Sequence, residues 1–327
     1  MSVDFTVAIP TYNGESRLPE VLEKLRSQIN ISFLSWEIIV IDNNSKDNTA
    51  KLIQTYQQNW PQNYPLKYCF EPQQGAAFAR RRAFEEAKSE LIGFLDDDNI
   101  PTQNWVEAAY NFGKQHPKAG AYGSQIHGDF EVPPPENFKK IIPFLAITER
   151  GSIPLLYEPS KKLLPPSAGL VVRKQAWLES VPNHMILTGR ANGNMLTGED
   201  LEMLSYIQAG GWEIWYNPAM EIDHKIPHWR LQQEYLIPFI RGIGLSRHVT
   251  RMVNVKPWFV PIKTLAYMAN DLRKIVFHLL KHGFKVKTDL VAACEMQLFI
   301  SSLISPFYLW KNGYFNQLPK NSYIEPS

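Results

Sequence analysis

The sequence predicts an α/β fold with a mostly parallel central sheet and a C-terminal helical appendage. Three observations carry this. Strand-like and helix-like runs alternate over the first 125 residues. Polar residues cluster just after the strand runs. Beyond Lys225 the alternation gives way to basic, aromatic and apolar stretches.

The elements follow in order. Phe5–Pro10 is a short apolar run ending in a turn, and Arg17–Gln28 sets Leu18, Val21, Leu22 and Leu25 at helical spacing. WEIIVID at Trp36–Asp42 reads as a buried strand, Asp47–Gln57 as a helix, Leu66–Phe70 as a strand and Gly75–Lys88 as a helix. Leu91–Leu95 is a strand that stops at three aspartates. A helix pattern then runs to about Gln115, with a strand near Ala119–Ser124. Glu131–Pro166, with three consecutive prolines at Pro133–Pro135, reads as a long loop. Pattern returns at Ser167–Arg173, at Glu199–Ala209 as a helix, and at Trp212–Tyr216 and Ala219–His224 as short strands.

A chain of 327 residues with ordinary apolar and charged fractions supports one large α/β domain plus an appendage, and excludes global disorder. The net charge of +2 is uninformative, but Lys225–Lys287 holds twelve Lys/Arg against two acids, Glu234 and Asp271. That asymmetry points to an anionic partner, a phosphate or a membrane face, and nucleic acid is not expected. Two cysteines, Cys69 and Cys294, are too few for a disulfide framework, and no secretory signal precedes the first strand. A cytoplasmic setting is therefore expected.

In parallel sheets ligands bind beyond the carboxyl ends of the strands. Thr11, Tyr12 and Asn13 follow the first strand; Asp42, Asn43 and Asn44 the second; Glu71 to Gly75 the third; Asp96 to Asn99 the fourth. Adjacent carboxylates at Asp96, Asp97 and Asp98 repel one another, and a divalent cation is the usual compensation, although a solvated acidic turn fits the triplet alone. Asp42 could accept from a nucleoside or close a turn. Gly75 opens a helix that reaches Arg80, Arg81 and Arg82, a setting suited to phosphate or to a plain basic helix face. Glu199 and Asp200 start a helix, where acids favour the dipole or serve as a general base. His224 alone is as consistent with a structural histidine as with a ligand.

Together these segments resemble the family 2 glycosyltransferases of the GT-A fold: AIPTYNGE at Ala8–Glu15, IDNNSKDNT at Ile41–Thr49, QGAAFARRRA at Gln74–Ala83, FLDDDN at Phe94–Asn99 and TGEDLEM at Thr197–Met203. The resemblance covers about two thirds of the chain, and GFLDDDN, GLVVRKQAW and GEDLEML also resemble bacterial exopolysaccharide and hormogonium-polysaccharide transferases. It implies a catalytic domain over 1–228, with a nucleotide-binding half at 1–125 and an acceptor half at 126–228, and a basic amphipathic region at 229–327. It further implies that Pro10, Thr11, Tyr12, Asn13, Glu15 and Asp42 hold the nucleoside. Asn44, Gly75, Arg80, Asp96, Asp97 and Asp98 would complete the nucleotide-sugar contacts. Asp98, Asp96 and His224 would hold Mn²⁺ or Mg²⁺, with Asp200 as catalytic base and Glu199 in support. Asn99 stands where many relatives carry an acid, and Arg81 replaces a common Asn.

The implied reaction is transfer of a sugar, with inversion, from a nucleotide-diphosphate donor (UDP favoured) to a hydroxyl on a saccharide or lipid-linked acceptor. Two alternatives stand beside it: an inactive nucleotide-sugar-binding scaffold and a sugar nucleotidyltransferase. The latter normally needs a Gly-rich basic loop after the first strand, which IPTYNGE lacks. From Pro257 to Lys281, apolar residues recur at helical spacing among lysines and arginines, which suits peripheral attachment to the inner membrane face or packing on the core. Leu290–Trp310 is long enough to span a bilayer but reads as an interfacial or packed helix. Arg230, Arg241 and Arg247 are expected near a diphosphate on charge grounds.

Overall fold

The computed structural model describes residues 3–161, 163–191 and 195–317; the end of the predicted C-terminal region, 318–327, lies outside the described residues. The chain alternates through β1 (Phe5–Thr11), α1 (Leu18–Arg26), β2 (Trp36–Asp42), α2 (Thr49–Gln58), β3 (Leu66–Phe70), α3 (Ala76–Glu86) and β4 (Leu91–Phe94). It continues through β5 (Asn99–Pro101), α4 (Trp105–Gln115), β6 (Ala119–Phe130), β7 (Leu155–Leu156), β8 (Leu170–Arg173), α5 (Lys174–Ser180), α6 (Glu199–Ala209) and β9 (Glu213–Ile226). Three helices follow: α7 (Gln233–Met252), α8 (Val260–His282) and α9 (Leu290–Lys311).

Among the described residues these strands form one sheet in the order β3-β2-β1-β4-β8-β6-β9-β5, with β7 also on β9. β1 to β4, β6 and β9 point one way, while β5, β7 and β8 oppose them. Strands β1 and β2 are buried almost throughout, as their unbroken apolar runs require of a sheet covered on both faces. The polar exception in β2, Glu37, is satisfied by Thr6 Oγ1, the Lys88 amide and Lys67 Nζ. One face packs on α1 and α4 through Leu18, Val21, Trp105 and Phe112. The other packs on α3, α5 and α6 through Phe84, Ala176, Met203 and Leu204.

The predicted short strands at Trp212–Tyr216 and Ala219–His224 are one strand, β9, paired in parallel with β6; a register shift opposite Ser124/Gln125 absorbs the break that the sequence suggests. β6 runs on to Phe130 for the same reason, since β9 gives it a partner along its length. The described residues of 131–166 are mostly irregular, apart from 3₁₀ turns and β7. α7 and α9 cross closely at Gly244, where a Cβ would stand 2.4 Å from the Ser301 Cβ. α9 is long and apolar enough to cross a membrane by length and composition, but part of its surface, including Cys294 and Ser305, is buried in this packing.

The turn before α3 depends on glycine. Gly75 has φ +139°, and a Cβ there would sit 2.6 Å from the Thr188 carbonyl oxygen. Gly75→Ala should destabilise the protein by about 1–3 kcal/mol, measured as a lower urea midpoint with unchanged slope.

Candidate functional site

A cavity of about 1700 Å³ opens at the carboxyl end of β1 and β4 and extends to α7 and α8. The ends of those strands supply Pro10, Thr11, Tyr12 and the aspartate triplet. The start of α6 supplies Glu199 and Asp200, β9 supplies His224, and α3 supplies Arg80.

The three aspartates have separate fates. Asp97 is taken up by Arg17, whose Nε and Nη2 donate at 2.8 Å to its two oxygens, and by the Thr11 hydroxyl. It ties the turn after β1 to the turn after β4. Asp98 Oδ2 accepts from Arg230 Nη2 at 2.7 Å and lies 3.6 Å from His224 Nε2. Burial raises the Asp98 pKa, but His224 and Arg230 outweigh it and hold this carboxylate well below its ordinary range. Asp96 keeps 39% of its side chain open to the cleft. Enclosure by the cleft walls still pushes its pKa up to about 6, with Arg80 opposing the rise and Asp98 and Asp97 adding to it.

His224 Nδ1 lies 2.9 Å from the Leu145 carbonyl, which assigns its proton there and leaves Nε2 as an acceptor; Arg230 Nη1 donates to that nitrogen at 3.1 Å. Arg230 thus occupies both the Asp98 oxygen and the His224 nitrogen.

Across the cleft, Arg80 is buried and joins three segments. Its Nη1 donates to Glu199 Oε1 and its Nη2 to Ser167 Oγ, both at 2.7 Å, and Asp96 Oδ1 lies 3.9 Å away. The Gly198 amide donates to the other Glu199 oxygen. Beside this pair, Asp200 accepts from the amides of Ser167 and Leu201, and burial together with Glu199 pushes its pKa up. A carboxylate made more basic in this way is suited to accept a proton from a hydroxyl.

Residues 6–162 match the family profile described as glycosyl transferase family 2. That segment belongs to the family. The chain is 30% identical over 113 residues to the minor teichoic acid biosynthesis protein GgaB of Bacillus subtilis (strain 168), covering 35% of this chain and 12% of that protein. It is 26% identical over 148 residues to the UDP-Glc:alpha-D-GlcNAc-diphosphoundecaprenol beta-1,3-glucosyltransferase WfgD of Escherichia coli, covering 42% of this chain and 56% of that protein. In both cases the match spans less than two thirds of the relative's length. Among solved structures, the fold is similar to the mannosyltransferase PcManGT from Pyrobaculum calidifontis in complex with GDP-Man and Mn²⁺, with TM-score 0.57, 16% identity and coverage of 94% of this chain and 88% of that one. It is also similar to S. aureus TarS 1-349 in complex with UDP-GlcNAc, with TM-score 0.51, 16% identity and coverage of 95% and 92%. The fold is GT-A.

Within this family 2 domain, several predicted nucleotide-sugar contacts lie off the cleft wall: Asn13, Glu15, Asp42, Asn44 and Gly75. Their polar groups close loops instead. Glu15 accepts from the Asn48 amide and side chain, and Asn13 Oδ1 from the Lys46 amide. Asp42 accepts from the Ser45 amide and the Tyr68 hydroxyl, while Asn44 donates to the Pro72 carbonyl. Asp97 lines the cleft, but its oxygens are committed to Arg17 and Thr11. Of the three arginines expected near a diphosphate, Arg230 and Arg247 line the cleft, whereas Arg241 is exposed elsewhere on α7. Sequence reasoning missed Arg17, Ser167 and Arg190. Arg190 also lines the cleft, and its Nη1 donates to the Tyr235 hydroxyl. Arg17 lies six residues past the end of β1, close to the rim that the strand ends form, and that position was its only signal; the others had none.

Removing Arg80 leaves Glu199 buried without its counter-charge. Arg80→Ala should therefore cost about 3–5 kcal/mol of stability, and Glu199→Gln should lose less because it keeps an acceptor for Arg80; chemical denaturation of both variants checks this. Glu202 on α6 gives a second expectation. It is fully buried, accepts from the Ile186 and Leu187 amides, and burial pushes its pKa from 4.5 up to about 7. A folded pKa above the unfolded one means its contribution to stability is fully present below pH 4.5 and is lost as pH rises through about 7. Glu202→Gln should flatten the fall of melting temperature with pH across that window.

Proposed function

We propose that the chain is a metal-dependent, inverting glycosyltransferase. It transfers a sugar from a nucleotide-diphosphate donor, UDP-sugar favoured, to a hydroxyl of a saccharide or lipid-linked acceptor in cell-surface polysaccharide assembly. It acts in the cytoplasm, peripherally on the inner membrane face. The observation that carries this reading is the arrangement of Asp200 and the Asp96/Asp98/His224 group on opposite walls of one cleft, linked through buried Arg80. The relatives' named substrates, including UDP-linked and GDP-linked sugars, support the donor class.

The donor set suits Mn²⁺ or Mg²⁺. The Asp98 carboxylate oxygen and the His224 Nε2 lie 3.6 Å apart, and Asp96 adds oxygen donors beside them. Asp98, held ionised, and His224, through Nε2, would bind the ion with help from Asp96. When bound, it would neutralise negative charge on the departing nucleoside diphosphate. Arg230 competes for the same two atoms and, once released from them, is a cation at the position where that charge develops.

Asp200 holds the other end of the reaction. Its raised proton affinity lets it take the acceptor proton as the hydroxyl attacks, and Glu199, paired with Arg80, fixes the start of α6. With Asp200 as the base and the carboxylates opposite it given to the cation, a single displacement inverts the anomeric centre.

UDP should raise the melting temperature in the presence of Mn²⁺; the shift should vanish in Asp98→Ala, and its absence for every nucleotide tested would refute the donor site. Asp200→Asn should lower kcat by about 10²–10⁴-fold with UDP binding retained. Product NMR showing net retention would exclude the single displacement.

A further inference from the structure

α8 is built inside out. Its buried side chains are Asp271 and His278. Its exposed ones include Ile262, Leu265, Leu272, Val276 and Leu280, between 47% and 77% accessible. The spacing of these residues places them along one stripe of the helix. Trp258, Phe284 and, from α9, Trp310 are exposed as well, at 65%, 91% and 75%. Lys263, Arg273 and Lys281 stand exposed beside the apolar residues. An apolar stripe with aromatic ends and lysine or arginine flanks matches the interfacial layer of an anionic lipid membrane, which takes up apolar side chains and attracts the cations.

The inward side of the same helix lines the far arm of the catalytic cleft. There Arg247 and Arg251 of α7 meet Lys263 and Lys274 of α8. Asp271 binds Arg251 through both oxygens, at 2.6 and 3.0 Å, so this acid is already committed. Among the described residues no carboxylate pairs with Arg247 or Lys274. Burial pushes the Arg247 pKa down to about 10 and lowers that of Lys274, and the neighbouring cations add to both. Cations gathered without carboxylate partners, here with the Lys274 ammonium 5.6 Å over the Phe299 ring, are stabilised when an anion enters, and a guanidinium fork matches phosphate oxygens.

We infer that the far arm of the cleft is an acceptor-side subsite for a phosphate or diphosphate carried on a lipid, reached with the exposed α8 stripe seated in the anionic membrane that holds that lipid. The inference deepens the glycosyltransferase reading by naming the acceptor class: the lipid phosphate rests on Arg247 and Lys274, and the acceptor hydroxyl extends along the cleft toward Asp200.

The test is calorimetric titration of the full chain with decyl diphosphate at saturating UDP and Mn²⁺, beside inorganic diphosphate. Decyl diphosphate should bind at least about tenfold more tightly than inorganic diphosphate, and Arg247→Gln and Lys274→Gln should each weaken it by about tenfold with UDP affinity unchanged. Arg247→Lys should retain much of the binding, which separates loss of charge from loss of fold. Equal affinity for inorganic diphosphate would make this a free-phosphate site and overturn the lipid assignment; unchanged binding in both Gln variants would overturn the subsite. Failure of UDP to bind, with decyl diphosphate still bound through Arg247, would remove the donor reading and leave the subsite standing. In parallel, a triple Leu265→Ser, Leu272→Ser, Val276→Ser variant should sediment less with vesicles of equal phosphatidylglycerol and phosphatidylcholine; undiminished sedimentation would overturn the membrane contact.

Discussion

The buried guanidinium of Arg80 is the contact on which the site's geometry turns. A charge taken out of water is tolerated only where partners replace its hydration. Arg80 finds them in segments far apart in sequence: Glu199 at the start of α6, Ser167 before β8, and the approach of Asp96 after β4. Each partner is polar and would itself be costly to bury alone. The arrangement is therefore mutual, and its geometry sets how far the wall bearing Asp200 stands from the wall bearing the aspartate triplet.

The same logic separates carboxylates that the sequence presents as equivalent. Asp97 turns toward Arg17 and Thr11 and becomes a tie between two strand ends. Asp98 turns toward Arg230 and His224 and stays ionised. Asp96 faces the open cleft, and Asp200 gains proton affinity from enclosure beside Glu199. Placing like charges in unlike surroundings lets one cleft hold a cation-binding wall and a proton-accepting wall, because the environment of each acid decides its protonation state.

The alternating pattern and the apolar strand runs made the sheet legible, since β1, β2 and β4 are buried and their periods leave no other reading. The rim after those strands was legible too, because strand ends in a parallel sheet deliver polar residues to one side. Which of those residues face the cleft was not. Asp42, Asn13, Asn44 and Glu15 carry the same chemistry as the residues lining the cleft, but backbone amides and the Tyr68 hydroxyl bond the oxygens of Asp42, Asn13 and Glu15, and Asn44 lies between Lys46 Nζ and the Pro72 carbonyl. Ser167 opens the Ser167–Arg173 run but lies ahead of β8, Arg190 sits in an irregular segment, and only tertiary contact gives either a place in the site. The helix α5 escaped for a related reason: in KQAWLES just Ala176 and Ser180 are buried, too few to mark a period.

α8 shows how far periodicity can mislead when taken alone. Its apolar residues recur at helical spacing, and the ordinary inference places such a stripe against the core. The chain does the reverse, because Asp271 and Arg251 pair bidentately between α7 and α8, and the buried His278 ring donates through Nε2 to the Ala292 carbonyl. These buried polar contacts fix the rotation of the helix about its axis. The two faces are thereby assigned together: whatever turns Lys274 into the cleft also turns Leu265 and Leu272 outward. Rotating the helix to bury the apolar stripe would break the Arg251–Asp271 pair and carry Lys274 off the cleft wall, so the basic arm of the cleft and the exposed apolar face are consequences of one constraint.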